Sequence, residues 1–111
     1  MKADAFFQYL TTRYRSRKTG GPLAQRAARD AVSRCQRIES VLKMDFDTTL
    51  RQVDVVALLM RLETHERAFK FSGHSRHGLS QHRTAAKLYA AFALNARQTE
   101  KTRHFYPGRY P

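Results

Sequence analysis

The sequence is poor in cysteine, in acidic residues and in long apolar runs. Cys35 is the only cysteine among 111 residues, which excludes an internal disulfide and fits a reducing compartment. No apolar run reaches the ~18 residues of a membrane span, and the first residues lack the apolar core of a secretory signal. These absences predict a cytoplasmic protein without a membrane partner, associated with the nucleoid if its source is bacterial.

The shortage of acidic residues leaves a large positive charge. Twenty-one lysines and arginines face nine aspartates and glutamates, so the formal net charge is +12. Such an excess predicts a polyanionic partner, because uncompensated like charge destabilises a small domain. Arginine supplies most of the charge, and its guanidinium fork matches phosphates and guanine edges better than a lysine does.

Hydrophobic spacing predicts an all-α protein, a compact bundle of four main helices. These cover residues 3–14, 22–42, 54–69 and 80–95 approximately, with Pro22 opening the second and Asp54 capping the third. Residues 43–52 are predicted to be a connection with a possible short extra helix, for which Asp47 is the expected cap. Residues 1–97 then form one helical domain, and residues 98–111 form a basic, aromatic C-terminal tail.

A basic loop between the first two helices is the first candidate site. Its cations precede two glycines and a predicted helix start, where free backbone N–H groups suit a phosphate. The alternative is a solvated basic turn, and the spacing matches no nucleotide-hydrolysing phosphate loop. The candidates here are Arg13, Arg15, Arg17, Lys18 and Thr19.

Two further groups of cations share helices with apolar stripes. The second helix combines a narrow stripe of small residues with an outer face that carries Arg26, Arg29, Arg34 and Arg37. A predicted loop over residues 71–78 leads into the fourth helix, whose N-terminal residues would face a DNA groove. An ordinary surface loop is the alternative. The candidates in this group are His74, Arg76, His77, Arg83 and Lys87, with Ser75, Ser80 and Gln81 as additional polar contacts.

Catalysis and metal binding have weaker support in the sequence. His74, His77 and His82 lie within nine residues but follow no standard zinc spacing, so no metal and no cofactor is predicted. The carboxylates do not cluster as in a metal-dependent nuclease, and Cys35 lies on an apolar stripe. A small ribonuclease that uses His74, His77 or His104 is the enzymatic alternative. The favoured prediction is a protein that is not an enzyme.

The order of these features resembles the SAM-like core-binding domain of tyrosine recombinases and phage integrases. The resemblance is carried by residues 6–10 (Phe-Phe-Gln-Tyr-Leu), the basic loop, the long second helix, and residues 79–92, which include Tyr89 and Phe92 in a Tyr-x-x-Phe pattern. It implies a four-helix domain that grips one side of a duplex, with DNA-facing candidates around residues 17–19 and at Arg26, Arg83 and Lys87. The recombinase catalytic residues have no counterpart here, so recombinase activity is not expected.

Together these observations predict a non-catalytic DNA-binding protein, for which an accessory or regulatory role in a phage or mobile element is one interpretation. Duplex DNA is favoured over RNA largely because of the family resemblance. Two alternatives stay open: an RNA-binding protein, and a basic interaction module or inhibitor that binds an acidic protein surface. Self-association or another protein partner is also allowed by three apolar residues expected at the surface, Val56, Met60 and Leu94.

Overall fold

The part of the chain that the structure describes folds into five α-helices and one short 3-10 helix. The computed structural model describes residues 1–69 and 75–105, with the side chains of the last helix described from His77 to Arg97. The elements are α1 (Ala3–Thr12), α2 (Gln25–Leu42), α3 (Phe46–Gln52), α4 (Val55–Thr64), the 3-10 helix (Glu66–Phe69) and α5 (Ser75–Phe105). The all-α prediction is confirmed, and α3 is the short extra helix. No helix in the described ranges is both long and apolar enough to span a membrane.

Aspartates begin two of the helices. Asp54 accepts a hydrogen bond from the backbone N–H of Ala57 at 2.9 Å and caps α4, as predicted. The cap of α3 is Asp45, whose carboxylate accepts from the N–H of Thr48, so the prediction of Asp47 as the cap was wrong. Asp47 lies two residues later and binds Tyr89 instead.

Two helix starts differ from the sequence prediction. Helix α2 begins at Gln25 and not at Pro22, because the N–H of Leu23 donates to the carbonyl of Leu10 and residue 24 is extended. Helix α5 begins at Ser75, so residues 75–78 are helical where a loop was predicted. It continues to Phe105, so residues 98–105 are helical where the sequence indicated an irregular tail. Residues 106–111 lie outside the described part of the chain.

The contact between α2 and α5 uses small side chains. Ala31 and Cys35 of α2 are buried, as are Ala85 and Ala86 of α5. The Cys35 thiol donates to the carbonyl of Ala85 at 3.4 Å, which requires the two backbones to lie close together. Helix α2 also packs on α1, and α4 packs on the other flank of α5.

Tyr89 lies at the centre of an aromatic cluster that joins α1, α3 and α5. Its ring centroid is 4.9 Å from that of Phe6, 5.0 Å from that of Phe46 and 5.2 Å from that of Phe92. Its hydroxyl donates to Asp47 Oδ1 at 2.7 Å and accepts from the backbone N–H of Lys2 at 3.0 Å. The cluster is therefore both apolar packing and a hydrogen-bonded junction.

The amino group of residue 1 joins the start of α1 to the end of α2 and the start of α3. It lies 3.0 Å from Glu39 Oε2 and 2.7 Å from Asp45 Oδ1. The same Glu39 oxygen accepts from the backbone N–H of Phe46 at 2.9 Å. Two carboxylates therefore hold three segments together at this corner of the bundle.

Replacing Tyr89 with phenylalanine should reduce stability without changing the fold. The Tyr89→Phe change leaves the partly buried N–H of Lys2 and the Asp47 carboxylate without this partner, so the free energy of unfolding should fall by about 1–3 kcal/mol. Urea unfolding followed by circular dichroism measures it. The matched control is Tyr14→Phe, at a half-buried ring outside the junction, which should cost less than about 0.5 kcal/mol. Equal losses in the two variants would contradict the role of the hydroxyl.

The pairing of Asp45 should make stability depend on pH in the acid range. The hydrogen bond from the amino group of residue 1, together with the N–H of Thr48, lowers the pKa of Asp45 from 3.8 to about 2. Because the folded pKa is the lower one, the stabilisation is complete above about pH 4 and is lost as the pH falls toward 2. The Asp45→Asn variant keeps a side-chain oxygen that can cap α3 but lacks the negative charge. Its melting temperature should lie below that of the unchanged protein at about pH 5, and this difference should shrink as the pH falls to about 2. A difference that stays constant over this range would contradict the pairing.

Candidate nucleic-acid interface

The basic loop before α2 is closed by its own hydrogen bonds. The N–H of Ser16 donates to the carbonyl of Gly21 at 2.9 Å, and the N–H of Gly20 donates to the carbonyl of Ser16 at 2.7 Å. Gly20 has φ +74°, a conformation that glycine adopts without strain. The hydroxyl of Thr19 accepts from the N–H of Gly21 at 3.2 Å. The loop is therefore an ordered turn.

The loop leaves only some of its predicted cations for a ligand. Arg17 and Lys18 are exposed at the turn, and Arg13, at the C-cap of α1, is exposed as well. Arg15 donates to the carbonyls of Thr12 and Tyr14, both at 3.1 Å, so it caps the last turn of α1. Since Thr19 also serves the turn, we assign the ligand-facing charge of the loop to Arg17 and Lys18.

The outer face of α2 carries a row of polar residues at helical spacing. The row follows intervals of three, four and four residues on the side opposite the buried stripe, and it spans about 16 Å of helix. Arg29 donates to Gln25 Oε1 at 3.3 Å, an interaction that leaves its charge uncompensated. No ion pair connects Arg26 or Arg29 to an acidic residue within residues 1–69 and 77–97. We call this row the arginine face of α2: Arg26, Arg29, Ser33 and Arg37.

A cleft lies between α2 and the first turns of α5, on the flank where the two helices meet. Its volume is about 360 Å³. Helix α2 contributes Arg34 and the side of the arginine face, and α5 contributes polar residues on successive turns. We call it the α2–α5 cleft, and its polar lining is Ser33, Arg34, Arg37, His77, Gln81 and His82.

The cleft has a positive electrostatic environment. Burial lowers the pKa of His82, and the positive charges of Arg37 and Arg34 lower it further, although the hydrogen bond with the Gly78 carbonyl raises it. The lowered pKa favours the neutral form of His82, whose Nδ1 lies 2.8 Å from that carbonyl oxygen. The positive charge in the cleft comes from the two arginines.

The predicted cations of α5 lie on the opposite flank of that helix. Arg83 forms an ion pair with Glu63 of α4, and Lys87 is exposed one turn further along. His77 and Gln81 project toward α2, whereas Arg83 and Lys87 project toward the α4 side. The structure thus brings His77 together with Arg34 and Arg37, and it places Arg83 and Lys87 on a different side.

Three predicted residues cannot be placed in the interface. His74 lies outside the described residues, and the side chains of Arg76 and His104 lie outside them as well. Within the part that is described, no three histidine, cysteine or acidic side chains come together as metal ligands.

Sequence reasoning missed Ser33. Ser33 lies four residues after Arg29 and four before Arg37, so helical spacing alone could have found it. Gln81 was expected to act with the start of a helix near Ser80. Because α5 already begins at Ser75, Gln81 lies one turn beyond His77 and donates from Nε2 to His77 Nε2 at 3.1 Å.

No protein-family model, no curated protein and no solved structure matches the chain. The resemblance to the recombinase core-binding domain therefore stays a prediction.

The cysteine should be unreactive in the folded protein. Burial raises the pKa of the Cys35 thiol to about 12, and the side chain is fully buried against α5. The native protein should react with a disulfide reagent at about pH 8 at least ~100-fold more slowly than the urea-unfolded chain, because reaction requires an opening of the core. Absorbance of the released thiolate measures the rate. A native rate close to the unfolded one would contradict the packing between α2 and α5.

Proposed function

We propose that the chain is a non-catalytic DNA-binding protein that grips duplex DNA with the basic loop and the arginine face of α2. The observation that carries the proposal is the row of arginines on one exposed helix face, directly after a loop that presents Arg17 and Lys18. Among the residues that the structure describes, Arg26 and Arg29 of this row form no ion pair with an acidic side chain. Cations in this arrangement neutralise phosphates and release counterions, which is the main source of affinity for a duplex.

The geometry of a single helix face favours B-form DNA over duplex RNA. The major groove of B-DNA, about 12 Å wide, admits an α-helix, whereas the major groove of an A-form helix is too narrow and deep for one. With the arginine face toward the groove, the basic loop at the N-terminal end of α2 would contact the flanking phosphates. Ser33, in the middle of the face, would contact a base edge or a phosphate.

The role that fits this proposal is an accessory or regulatory one. The resemblance noted in the sequence suggests a factor of a phage or mobile element that acts on DNA in the cytoplasm. Such a protein needs to occupy or shape a DNA site and needs no reacting groups. We accordingly assign no catalytic residue.

The arginine face can be tested by a double substitution. Arg26→Gln with Arg29→Gln should weaken binding to a 20-base-pair DNA duplex about 10- to 100-fold at ~0.1 M salt. The slope of log affinity against log salt should also become shallower by about 2, because two phosphate contacts are lost. Fluorescence anisotropy at four salt concentrations measures both quantities.

The matched control is Arg61→Gln with Arg67→Gln, which removes the same charge from exposed positions on α4 and the 3-10 helix. This control variant should change the slope of log affinity against log salt by less than half as much as the Arg26 and Arg29 double variant does. Equal effects in the two double variants would show diffuse attraction and contradict the proposal. Tighter binding to duplex RNA of the same length, or no binding to either duplex while an acidic protein is bound, would overturn it in favour of an RNA-binding or an interaction module.

A further inference from the structure

We propose that the α2–α5 cleft is a discrete binding site for one phosphate group, with Arg34 as its principal ligand. The site differs from the arginine face, because it is a concave space between two helices. The inference goes beyond DNA binding, since the phosphate could belong to a free compound as well as to a nucleic acid strand.

Arg34 is the residue that most needs an anion. It is half-buried in the cleft and has no hydrogen-bond or ion-pair partner within residues 1–69 and 77–97. No acidic side chain is among the described residues that line the cleft. A half-buried guanidinium without a counter-charge is costly, and a phosphate would satisfy it with two parallel, charge-assisted hydrogen bonds.

Arg37 supplies a second charge in a fixed position. Its guanidinium donates to the backbone carbonyl of Phe69, which ties α2 to the 3-10 helix. Arg37 lines the cleft beside Arg34, so its positive charge adds to the attraction for an anion. The test below substitutes Arg34 and not Arg37, because removal of Arg37 would also detach the 3-10 helix from α2.

The other wall of the cleft offers neutral donors. Gln81 donates from Nε2 to His77 Nε2 at 3.1 Å, which leaves the second amide hydrogen and the His77 Nδ1–H for a ligand. Gly78 also lines the cleft, near the N-terminal end of α5, where the helix dipole is positive. Two charges and several donors from both sides suit the four oxygens of a phosphate better than a carboxylate.

The size of the cleft limits the ligand. About 360 Å³ is at the lower end of the range of small-molecule sites, roughly 300–1,000 Å³. It accommodates a phosphate with an attached sugar. The shared chemistry is therefore a phosphate group, carried by a free phosphate compound or by a strand of nucleic acid.

Isothermal titration calorimetry at constant ionic strength tests the site directly. Inorganic phosphate and a nucleoside 5′-monophosphate should each bind the full chain with a stoichiometry of about one, whereas acetate should not. Arg34→Ala should weaken both by about tenfold or more, and Arg34→Lys should weaken them less. Arg61→Ala is the matched control, an exposed arginine on α4 outside both the cleft and the arginine face, and it should change binding less than about twofold. Circular dichroism verifies that each variant is folded.

A second set of measurements distinguishes the two sources of the phosphate group. If a strand supplies the phosphate, Arg34→Ala also weakens DNA duplex binding and the monophosphate competes with the duplex. If a free compound supplies it, duplex binding is unchanged. Either result supports the site. The absence of saturable heat with both phosphate probes, or equal losses of affinity for these probes in the Arg34 and Arg61 variants, would overturn it. Neither outcome depends on the salt-slope test, so the site and the DNA-binding proposal can fail separately.

Discussion

The close contact of α2 with α5 is the constraint on which the rest of the structure depends. Alanines and a cysteine form the inner stripe of α2, and alanines at the middle of α5 face them, so the two backbones approach closely. The thiol of Cys35 fills this contact and donates to the carbonyl of Ala85. Because the inner stripe is narrow, most of the circumference of α2 is left for polar and charged residues. The same approach brings Arg34 opposite His77 and Gln81 and forms the cleft.

Charge in this protein is divided by helix packing into surfaces of different character. On the side formed by the basic loop and α2, Arg26 and Arg29 form no ion pair with an acidic residue among those described, whereas Arg83 on the other flank of α5 is paired with Glu63 of α4. Apolar residues also stay exposed on α4 and α5: Val56, Met60 and Leu94. A high positive net charge by itself indicates only that the binding partner is a polyanion. Its concentration on α2, beside an ordered basic turn, supports one binding side.

Much of the fold could be predicted from local patterns. The apolar stripe of α2 and the cap at Asp54 follow from spacing and side-chain chemistry within one turn of helix. The true start of α2 could not be read in this way, because it depends on a hydrogen bond between Leu23 and Leu10 across the basic loop. The early start of α5 also depends on tertiary contacts, since glycine and serine are poor helix formers. Near the start of α5, the ring of His82 packs on Phe69 of the 3-10 helix, with ring centroids 5.5 Å apart. The Nδ1 of His82 also lies within hydrogen-bond distance of the Gly78 carbonyl oxygen.

The candidate site was only partly accessible from sequence for the same reason. The cations of α2 and of the loop could be predicted from residue charge and helical spacing. The interactions of Arg83 and Arg37 could not, because their partners lie 20 and 32 residues away in the sequence. We propose that one side of the bundle, the basic loop with the arginine face of α2, contacts DNA. Backbone amide shifts of ¹⁵N-labelled protein titrated with a DNA duplex test this contact most directly. We expect saturable shifts at Arg17, Lys18, Arg26, Arg29 and Ser33, with the amides of α4 unchanged. Shifts concentrated on α4, or spread evenly over the bundle, would contradict it.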